Sequence, residues 1–201
     1  MSRGTALITG ASSGIGEAFA RLFAAEGFDL VLTARREGKL QELAADLATT
    51  ANIVVLPGDL STTKGITTFC ESVSGQSLEI DVLVNNAGMS PVAPSLLETS
   101  EALFDKIIDV NLKGPTRLTA LVATKMSETG GGSIINISSV ASYRPSPLTT
   151  VYSAAKAGLN ALTAASAQEY ASMGVRINCV VCGTFDTDAA SGMINNPEIL
   201  P

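Results

Sequence analysis

The stretch TGASSGIGEAF, residues 9–19, decides the fold of this 201-residue chain. It follows the apolar run TALIT (5–9) and leads into a helical pattern, so it predicts a strand, a glycine-rich turn and a helix. Gly10 permits a sharp turn, Gly14 lets the backbone approach a phosphate, and Gly16 lets the helix pack against a sheet. The spacing is GxxxGxG and not GxGxxG, and a glycine-rich loop without a ligand is the alternative.

Free N–H groups at the start of this helix would point at an anion. Because the turn also follows the first strand of a chain in which strands and helices alternate, nucleotide binding is favoured over an ordinary loop. The candidate nucleotide-binding residues are those of the turn: Gly10, Ser12, Ser13, Gly14, Ile15 and Gly16.

Further short apolar runs recur along the chain, and the segments between them show helical periodicity, as at Ile15, Phe19 and Leu22. Runs that are apolar on both faces are typical of strands covered by helices on both sides. The pattern therefore predicts an α/β fold with a Rossmann-type, doubly wound parallel sheet in three α/β/α layers. The predicted strands after TALIT are 29–33, 52–57, 81–86, 133–138 and 175–181, and a long helix is expected at about 100–128.

Length and composition fit one domain spanning residues 1–201. Hydrophobic residues make up 46% and charged residues 16% of the chain, which suits one substantial core. The formal net charge of −6 argues against a nucleic-acid partner, which would require clustered positive charge. Since no apolar segment has the length of a signal peptide's core or of a membrane span, a soluble cytoplasmic protein with no membrane partner is expected. A doubly wound sheet is expected to continue after the sixth strand, so we expect the chain to be C-terminally incomplete at residue 201.

The three cysteines are Cys70, Cys179 and Cys182, and in a chain without an export signal we expect reduced thiols. Cys179 and Cys182 form a CxxC, which elsewhere can indicate a redox or metal pair. This chain has no second CxxC and no histidine to complete a four-ligand site. We therefore expect no metal and interpret the pair as strand-end residues.

The end of the second strand indicates which nucleotide would bind. An acidic residue there would hydrogen-bond a ribose 2′-hydroxyl, whereas arginine suits a 2′-phosphate. The strand ends in LTARRE, with Ala34 where the acid would stand and Arg35 and Arg36 after it. This favours NADP(H) over NAD(H), and a solvated basic pair is the alternative. Asp59, after the third strand, is placed for the adenine edge, with capping of the next helix as the alternative, and Leu60 beside it is a further candidate cofactor contact.

Five features together resemble the short-chain dehydrogenase/reductase family in its classical branch: TGASSGIG (9–16), NNAG (85–88), Asn111, the serine of ISSV (137–140) and YSAAK (152–156). They stand in the family's order over most of the chain. The resemblance implies an oxidoreductase that transfers a hydride between a nicotinamide and a carbonyl or alcohol carbon of a small molecule. It also implies a homodimer or homotetramer.

The residues themselves support acid/base chemistry at YSAAK. Tyr152 and Lys156 are four residues apart and would share a helix face, where the ammonium would favour the phenolate and lower the tyrosine pKa. Tyr152 could then act as the general acid/base in a chain that has no histidine. Ser139 precedes Tyr152 by 13 residues at the end of the fifth strand and would polarise the substrate oxygen. We prefer it to Ser138 because it matches the family's spacing and because strand alternation turns Ser138 the other way.

Other site roles follow from the resemblance alone. Lys156 would also hold the nicotinamide ribose, and Asn111 would support a water between Lys156 and solvent. The cofactor crevice would be lined by Asn86, Ala87 and Gly88, with Gly183 and Thr187 after the sixth strand. A helix kink at Asn111 and a strand-end turn at NNAG are the alternatives. Cys182 stands where the family usually has proline, which loosens the turn before Gly183.

The sequence thus predicts an NADP(H)-dependent oxidoreductase with Tyr152 as general acid/base. The residues near its site suggest a mostly apolar substrate. They are Met89, Ser90, Pro91, Tyr143, Arg144 and Leu148. An NADP(H)-binding sensor that kept the fold and lost catalysis is the alternative.

Overall fold

A computed structural model describes residues 2–76, 78–93 and 95–185 of the chain. These residues form a six-stranded parallel sheet in the order β3-β2-β1-β4-β5-β6. The strands are β1 (Thr5–Thr9), β2 (Asp29–Thr33), β3 (Ile53–Val55), β4 (Val82–Asn85), β5 (Gly132–Ser139) and β6 (Val175–Cys182). The strand order reverses between β1 and β4, and ligands of such sheets bind beyond the carboxyl ends of the strands at this point.

Helices cover both faces of the sheet. They are α1 (Gly14–Ala25), α2 (Glu37–Leu47), α3 (Thr63–Gly75), α4 (Glu101–Ile108), α5 (Gly114–Glu128) and α6 (Thr150–Tyr170). Alternate residues of β1 point to opposite cores: Leu7 packs with α3 and α5, whereas Ala6 and Ile8 pack with α1 and α2. The doubly wound, three-layer α/β/α fold is therefore confirmed. Among the described helices, none is both long enough and apolar enough to cross a bilayer.

The helix expected at about 100–128 is interrupted. A π-helical turn, Asp109–Lys113, separates α4 from α5, and the N–H of Gly114 bonds to the carbonyl of Asp109, five residues back. Pro115 lacks the N–H that a regular helix would donate to the carbonyl of Asn111, so the register can widen here at low cost. The interruption places Asn111 inside the irregular turn.

A row of buried polar side chains crosses the centre of the sheet. Asn85 Nδ2 donates to Asn136 Oδ1 at 2.8 Å and to Thr119 Oγ1 at 3.1 Å. Asn136 Nδ2 donates to Thr163 Oγ1 at 2.8 Å. All four residues are buried, so the row ties β4 and β5 to the helices α5 and α6 that cover them.

Candidate active site

The glycine turn is packed too tightly for side chains. Gly10 and Gly14 have φ of +68° and +57°, which only glycine adopts without strain. A Cβ on Gly16 would lie 2.3 Å from the carbonyl oxygen of Gly10. Asn86 Nδ2 donates to the carbonyl oxygens of Thr9 at 2.9 Å and Gly10 at 3.3 Å, so the NNAG segment is fastened to this turn.

Thr9 is a site residue that the sequence reasoning missed. Its hydroxyl donates to the carbonyl of Val84 at 3.2 Å and accepts from the N–H groups of Asn86 and Ala87, each at 2.9 Å. One buried side chain thereby joins the ends of β1 and β4, where the strand order reverses. A hydroxyl at the carboxyl end of an otherwise apolar strand was the signal that could have identified it.

Arg36 lies over the glycine turn. Its Nη2 donates to Ser13 Oγ at 2.7 Å and to Ser12 Oγ at 3.1 Å, and the side chain is exposed. Arg35 is exposed as well, and its charge acts on the carboxyl of Asp59. Of the two arginines, Arg36 is thus the one held against the turn that would face a phosphate.

Asp59 is held at the end of the loop after β3. It accepts from the hydroxyl and the N–H of Ser61 at 2.7 and 3.0 Å. Burial acts to raise its pKa, but those hydrogen bonds and the charges of Arg35 and Lys106 outweigh it, and the net pKa is lowered. The N-cap of α3 is Thr62 and not Asp59, since Thr62 Oγ1 accepts from the N–H of Gly65. Leu60, beside Asp59, is buried in the core below.

Tyr152 and Lys156 lie one turn apart on α6, and Ser139 ends β5 beside them. Burial raises the pKa of Tyr152 above its usual value, the Ser139 hydroxyl opposes this by hydrogen bonding, and the Cys182 thiol adds to the rise. Tyr152 is therefore a protonated phenol at neutral pH. The three side chains that the sequence placed together do meet at the carboxyl end of the sheet.

Lys156 is only 4% exposed, and its Nζ donates to the carbonyl oxygen of Ile137 at 2.7 Å. Burial lowers the pKa of this ammonium to about 8. The net pKa of Tyr152 is set by burial, and the expected lowering by Lys156 stays a prediction. Nζ lies 5.7 Å from the Tyr152 ring centroid and is directed at the strand, so burial dominates at both groups.

Asn111 brings a free acceptor close to the lysine. Its Nδ2 donates to the carbonyls of Met89 at 2.9 Å and Ile107 at 3.0 Å. Its Oδ1 is buried and has no hydrogen-bond partner within the described ranges. A Cβ on Gly88 would lie 2.8 Å from this oxygen and 3.6 Å from Lys156 Nζ, so Asn111 and Lys156 face one small polar space beside Gly88.

The neighbouring residues take different places. Ser138 is buried and donates to the backbone carbonyl of Lys156 at 3.3 Å, whereas Ser139 lies beside Tyr152. Cys182 on β6 pairs in register with Ser139 on β5. Cys182 also lies near Lys156, because its thiol influences the pKa of Lys156. Gly183 is exposed just after β6. Thr187 lies outside the described residues.

The cleft beside Tyr152 is mainly apolar. Its lining includes Pro91, Ala93, Ile107, Pro147 and Leu148, together with Ser95, Thr99, Thr149 and Thr150. Tyr143, which follows the Val140–Ser142 turn after β5, has 71% of its surface exposed. Apolar side chains thus lie beside the tyrosine.

Comparison with known proteins agrees with this geometry. A sequence profile described as short chain dehydrogenase matches residues 4–197. An uncharacterised oxidoreductase of Staphylococcus epidermidis is 34% identical over 187 residues, which are 93% of this chain and 80% of that protein.

Two solved structures share the fold closely. A short-chain dehydrogenase from Sphingobium yanoikuyae in complex with NADPH is 32% identical with a TM-score of 0.89, over 98% of this chain and 77% of that one. A bulky-bulky ketone specific alcohol dehydrogenase from Comamonas testosteroni is 34% identical with a TM-score of 0.85, over 91% and 74% of the two chains. The chain belongs to the short-chain dehydrogenase/reductase family and is an oxidoreductase of that family.

Proposed function

We propose that this protein is an NADP(H)-dependent oxidoreductase that reduces a carbonyl, or oxidises the matching secondary alcohol, in a small and mostly apolar molecule. One observation carries the proposal: Ser139, Tyr152 and Lys156 meet at the carboxyl end of β5, at the same edge of the parallel sheet as the glycine turn after β1. In this proposal residues 1–201 form one dinucleotide-binding domain with the catalytic residues built in. By family resemblance we also propose a cytoplasmic homodimer or homotetramer.

The residues present fit a dinucleotide. The turn at Gly10, Gly14 and Gly16 brings bare backbone to the start of α1, where the first N–H groups have no partner within the helix. Gly88 has no side chain and Asn111 Oδ1 has no hydrogen-bond partner among the described residues, so a polar space is left beside Lys156. When bound, the nicotinamide would supply or accept the hydride. The site of the nicotinamide would be lined by Asn86, Ala87, Gly88, Lys156, Gly183 and Thr187.

Ser139 and Tyr152 would act on the substrate oxygen. Ser139 Oγ accepts from the N–H of Ala141 at 3.2 Å and keeps one proton to donate, which it can direct at Tyr152 or at a substrate oxygen between them. A hydrogen bond from Ser139 would polarise the carbonyl, and Tyr152 would donate the proton as charge develops on that oxygen. Tyr152 is protonated at neutral pH, as a general acid must be, and its raised pKa makes it a weaker proton donor than a phenol with a pKa near neutrality.

Lys156 and Asn111 would resupply that proton. The Lys156 ammonium has a pKa near 8, so it can release a proton near neutral pH. Asn111 Oδ1 faces the same polar space and could accept from a water there. In the oxidation direction the same groups would carry the proton outwards.

The preference for NADP(H) is proposed on Arg36. Its guanidinium is exposed and is held by Ser12 and Ser13, whose hydroxyls border the phosphate turn. A planar guanidinium matches the oxygens of a 2′-phosphate, and Ala34 offers no carboxylate to bind a 2′-hydroxyl. The structure in complex with NADPH from Sphingobium yanoikuyae supports the same choice of cofactor.

The substrate class is proposed on the apolar cleft beside Tyr152. The ketone specificity in the name of the Comamonas testosteroni relative supports a carbonyl compound. The test is to incubate the full chain with a panel of ketones and aldehydes plus NADPH, and with a panel of alcohols plus NADP. The change in NADPH absorbance then measures turnover. Turnover of apolar ketones is expected. Tight NADPH binding without turnover of any member would contradict the proposal and favour a sensor.

A further inference from the structure

Asn160 lies on the same face of α6 as Tyr152 and Lys156, because the three residues are spaced by four. Its amide begins a path of hydrogen bonds to the backbone of Ser139. Asn160 Nδ2 donates to Ser142 Oγ at 2.9 Å, and Ser142 Oγ donates to the carbonyl oxygen of Ser139 at 2.6 Å. We propose that Asn160 is a positioning residue for the Ser139 hydroxyl and acts through Ser142. The inference rests on the proposed function, in which Ser139 contacts the substrate oxygen.

The hydrogen bonds of this path run in one direction. The Ser142 hydroxyl has a single proton and gives it to the Ser139 carbonyl, so towards Asn160 it can only accept. The Asn160 side chain must therefore direct Nδ2 towards Ser142, and its Oδ1 then points away from Ser142. There Cys179 Sγ donates to Asn160 Oδ1 at 3.3 Å. Each donor has one acceptor, so the amide has one favoured orientation.

The path matters for Ser139 because of where it ends. Ser139 is the last residue of β5, and the short helical turn Val140–Ser142 follows it. The turn fixes Ser139 twice: the N–H of Ala141 donates to its hydroxyl and Ser142 donates to its carbonyl. The hydrogen bond from Asn160 joins Ser142 to α6, the helix that carries Tyr152, where the turn and the helix also pack against each other. The amide thus sets the Ser139 hydroxyl relative to the tyrosine.

The same path of hydrogen bonds gives a role to Cys179, the first cysteine of the CxxC motif. Cys179 is partly buried on β6, and its thiol supports the Asn160 amide. Cys182 lies three residues on, beside Ser139 in register. In this interpretation Cys179 belongs to the support of the active site and needs no metal or disulfide chemistry.

The effect is expected on turnover and not on cofactor affinity. Displacing a reacting group by about 1 Å can lower the rate by about 100-fold, and a freed turn should displace Ser139 by less than that. The test uses Asn160→Ala, Ser139→Ala and the double variant in the full chain, with the ketone that is turned over fastest in the panel. Asn160→Ala is expected to lower kcat roughly tenfold and to change the NADPH Kd by less than about twofold.

The double variant separates positioning from general damage. If Asn160 acts through Ser139, adding Asn160→Ala to Ser139→Ala should lower kcat no further, since an absent hydroxyl cannot be misplaced. Ser142→Ala should reproduce this pattern, and it decides the question if Asn160→Ala fails to fold. Gln168→Ala removes an exposed amide from the same helix and should leave kcat unchanged.

Two results would overturn the inference. One is wild-type kcat in a folded Asn160→Ala or Ser142→Ala variant, and the other is a double variant whose loss is the product of the two single losses. Wild-type kcat in Ser139→Ala would instead remove the proposed role of Ser139, and this inference with it. The single Ser139 variant therefore distinguishes a failure of the proposed function from a failure of the positioning role.

Discussion

Lys156 Nζ donates a 2.7 Å hydrogen bond to the carbonyl oxygen of Ile137, two residues before Ser139 on the same strand. The backbone carbonyl of Lys156 in turn accepts from Ser138 Oγ at 3.3 Å. One residue therefore clamps α6 to the end of β5 through both its side chain and its backbone. The ammonium is stabilised by a strand carbonyl, and its burial is the origin of its lowered pKa.

This burial predicts how stability changes with pH. The pKa of Lys156 is about 8 when folded, against a usual value of 10.5. Between those values the unfolded chain binds more protons than the folded chain, so stability rises with pH across this window. Below pH 8 Lys156 is charged in both the folded and the unfolded chain, so the full free-energy cost of burying the ammonium is present. Lys156→Met removes the titration, and the unfolding free energy of the wild type relative to this variant should rise by about 2 kcal/mol from about pH 8 to pH 10.

The measurement is urea unfolding of both proteins at several pH values, followed by circular dichroism. Other groups, including Tyr152 and Cys182, titrate in both proteins, so the difference between them reports mainly on Lys156. A difference that does not vary with pH would show that Lys156 is not buried as a titrating ammonium.

Arg36→Ala is expected to weaken NADPH binding selectively. A charge-assisted contact with the 2′-phosphate predicts a loss of roughly 10- to 100-fold in NADPH affinity, with little change for NADH. Fluorescence titration with each nucleotide measures both constants. Arg176→Ala, which removes an exposed arginine from β6 at the edge of the described sheet, is the matched control. An equal loss for NADPH and NADH would mean that Arg36 does not contact the 2′-phosphate.

Asn136→Ala tests the buried polar row. Asn136 is fully buried and bonded to both Asn85 and Thr163. Its removal leaves polar groups in the core without partners, so the free energy of unfolding should fall by roughly 2–4 kcal/mol. Asn178→Ala, at an exposed position of β6, should change it by less than about 0.5 kcal/mol. Similar values for the two variants would show that the row does not stabilise the sheet.

Local patterns were sufficient to predict the architecture. Runs such as TALIT and DLVLT are apolar on both faces, and they became β1 and β2 with the predicted bounds. The turn chemistry of Gly10 and Gly14 was equally local, because a positive φ is a property of one residue. Parallel strands then bring their carboxyl ends together, which is why Ser139 and Tyr152 could be placed in one crevice.

The features that could not be predicted from the sequence depend on contacts between distant residues. The pKa of Tyr152 rises because other elements bury it, and a four-residue spacing to Lys156 carries no information on burial. The path from Asn160 to Ser139 depends on where the Val140–Ser142 turn lies against α6. The π-helical turn at Asn111 is a shift in hydrogen-bond register, which apolar periodicity does not reveal.

The most direct test of the central claim is the turnover of Tyr152→Phe. Phenylalanine keeps the ring near Lys156 and removes only the hydroxyl that would transfer the proton. We expect kcat for ketone reduction to fall by at least about 100-fold while the NADPH Kd changes by less than about twofold. Tyr170→Phe, the same change at the end of α6, should retain wild-type turnover. Substantial turnover by Tyr152→Phe would contradict the assignment of Tyr152 as the general acid.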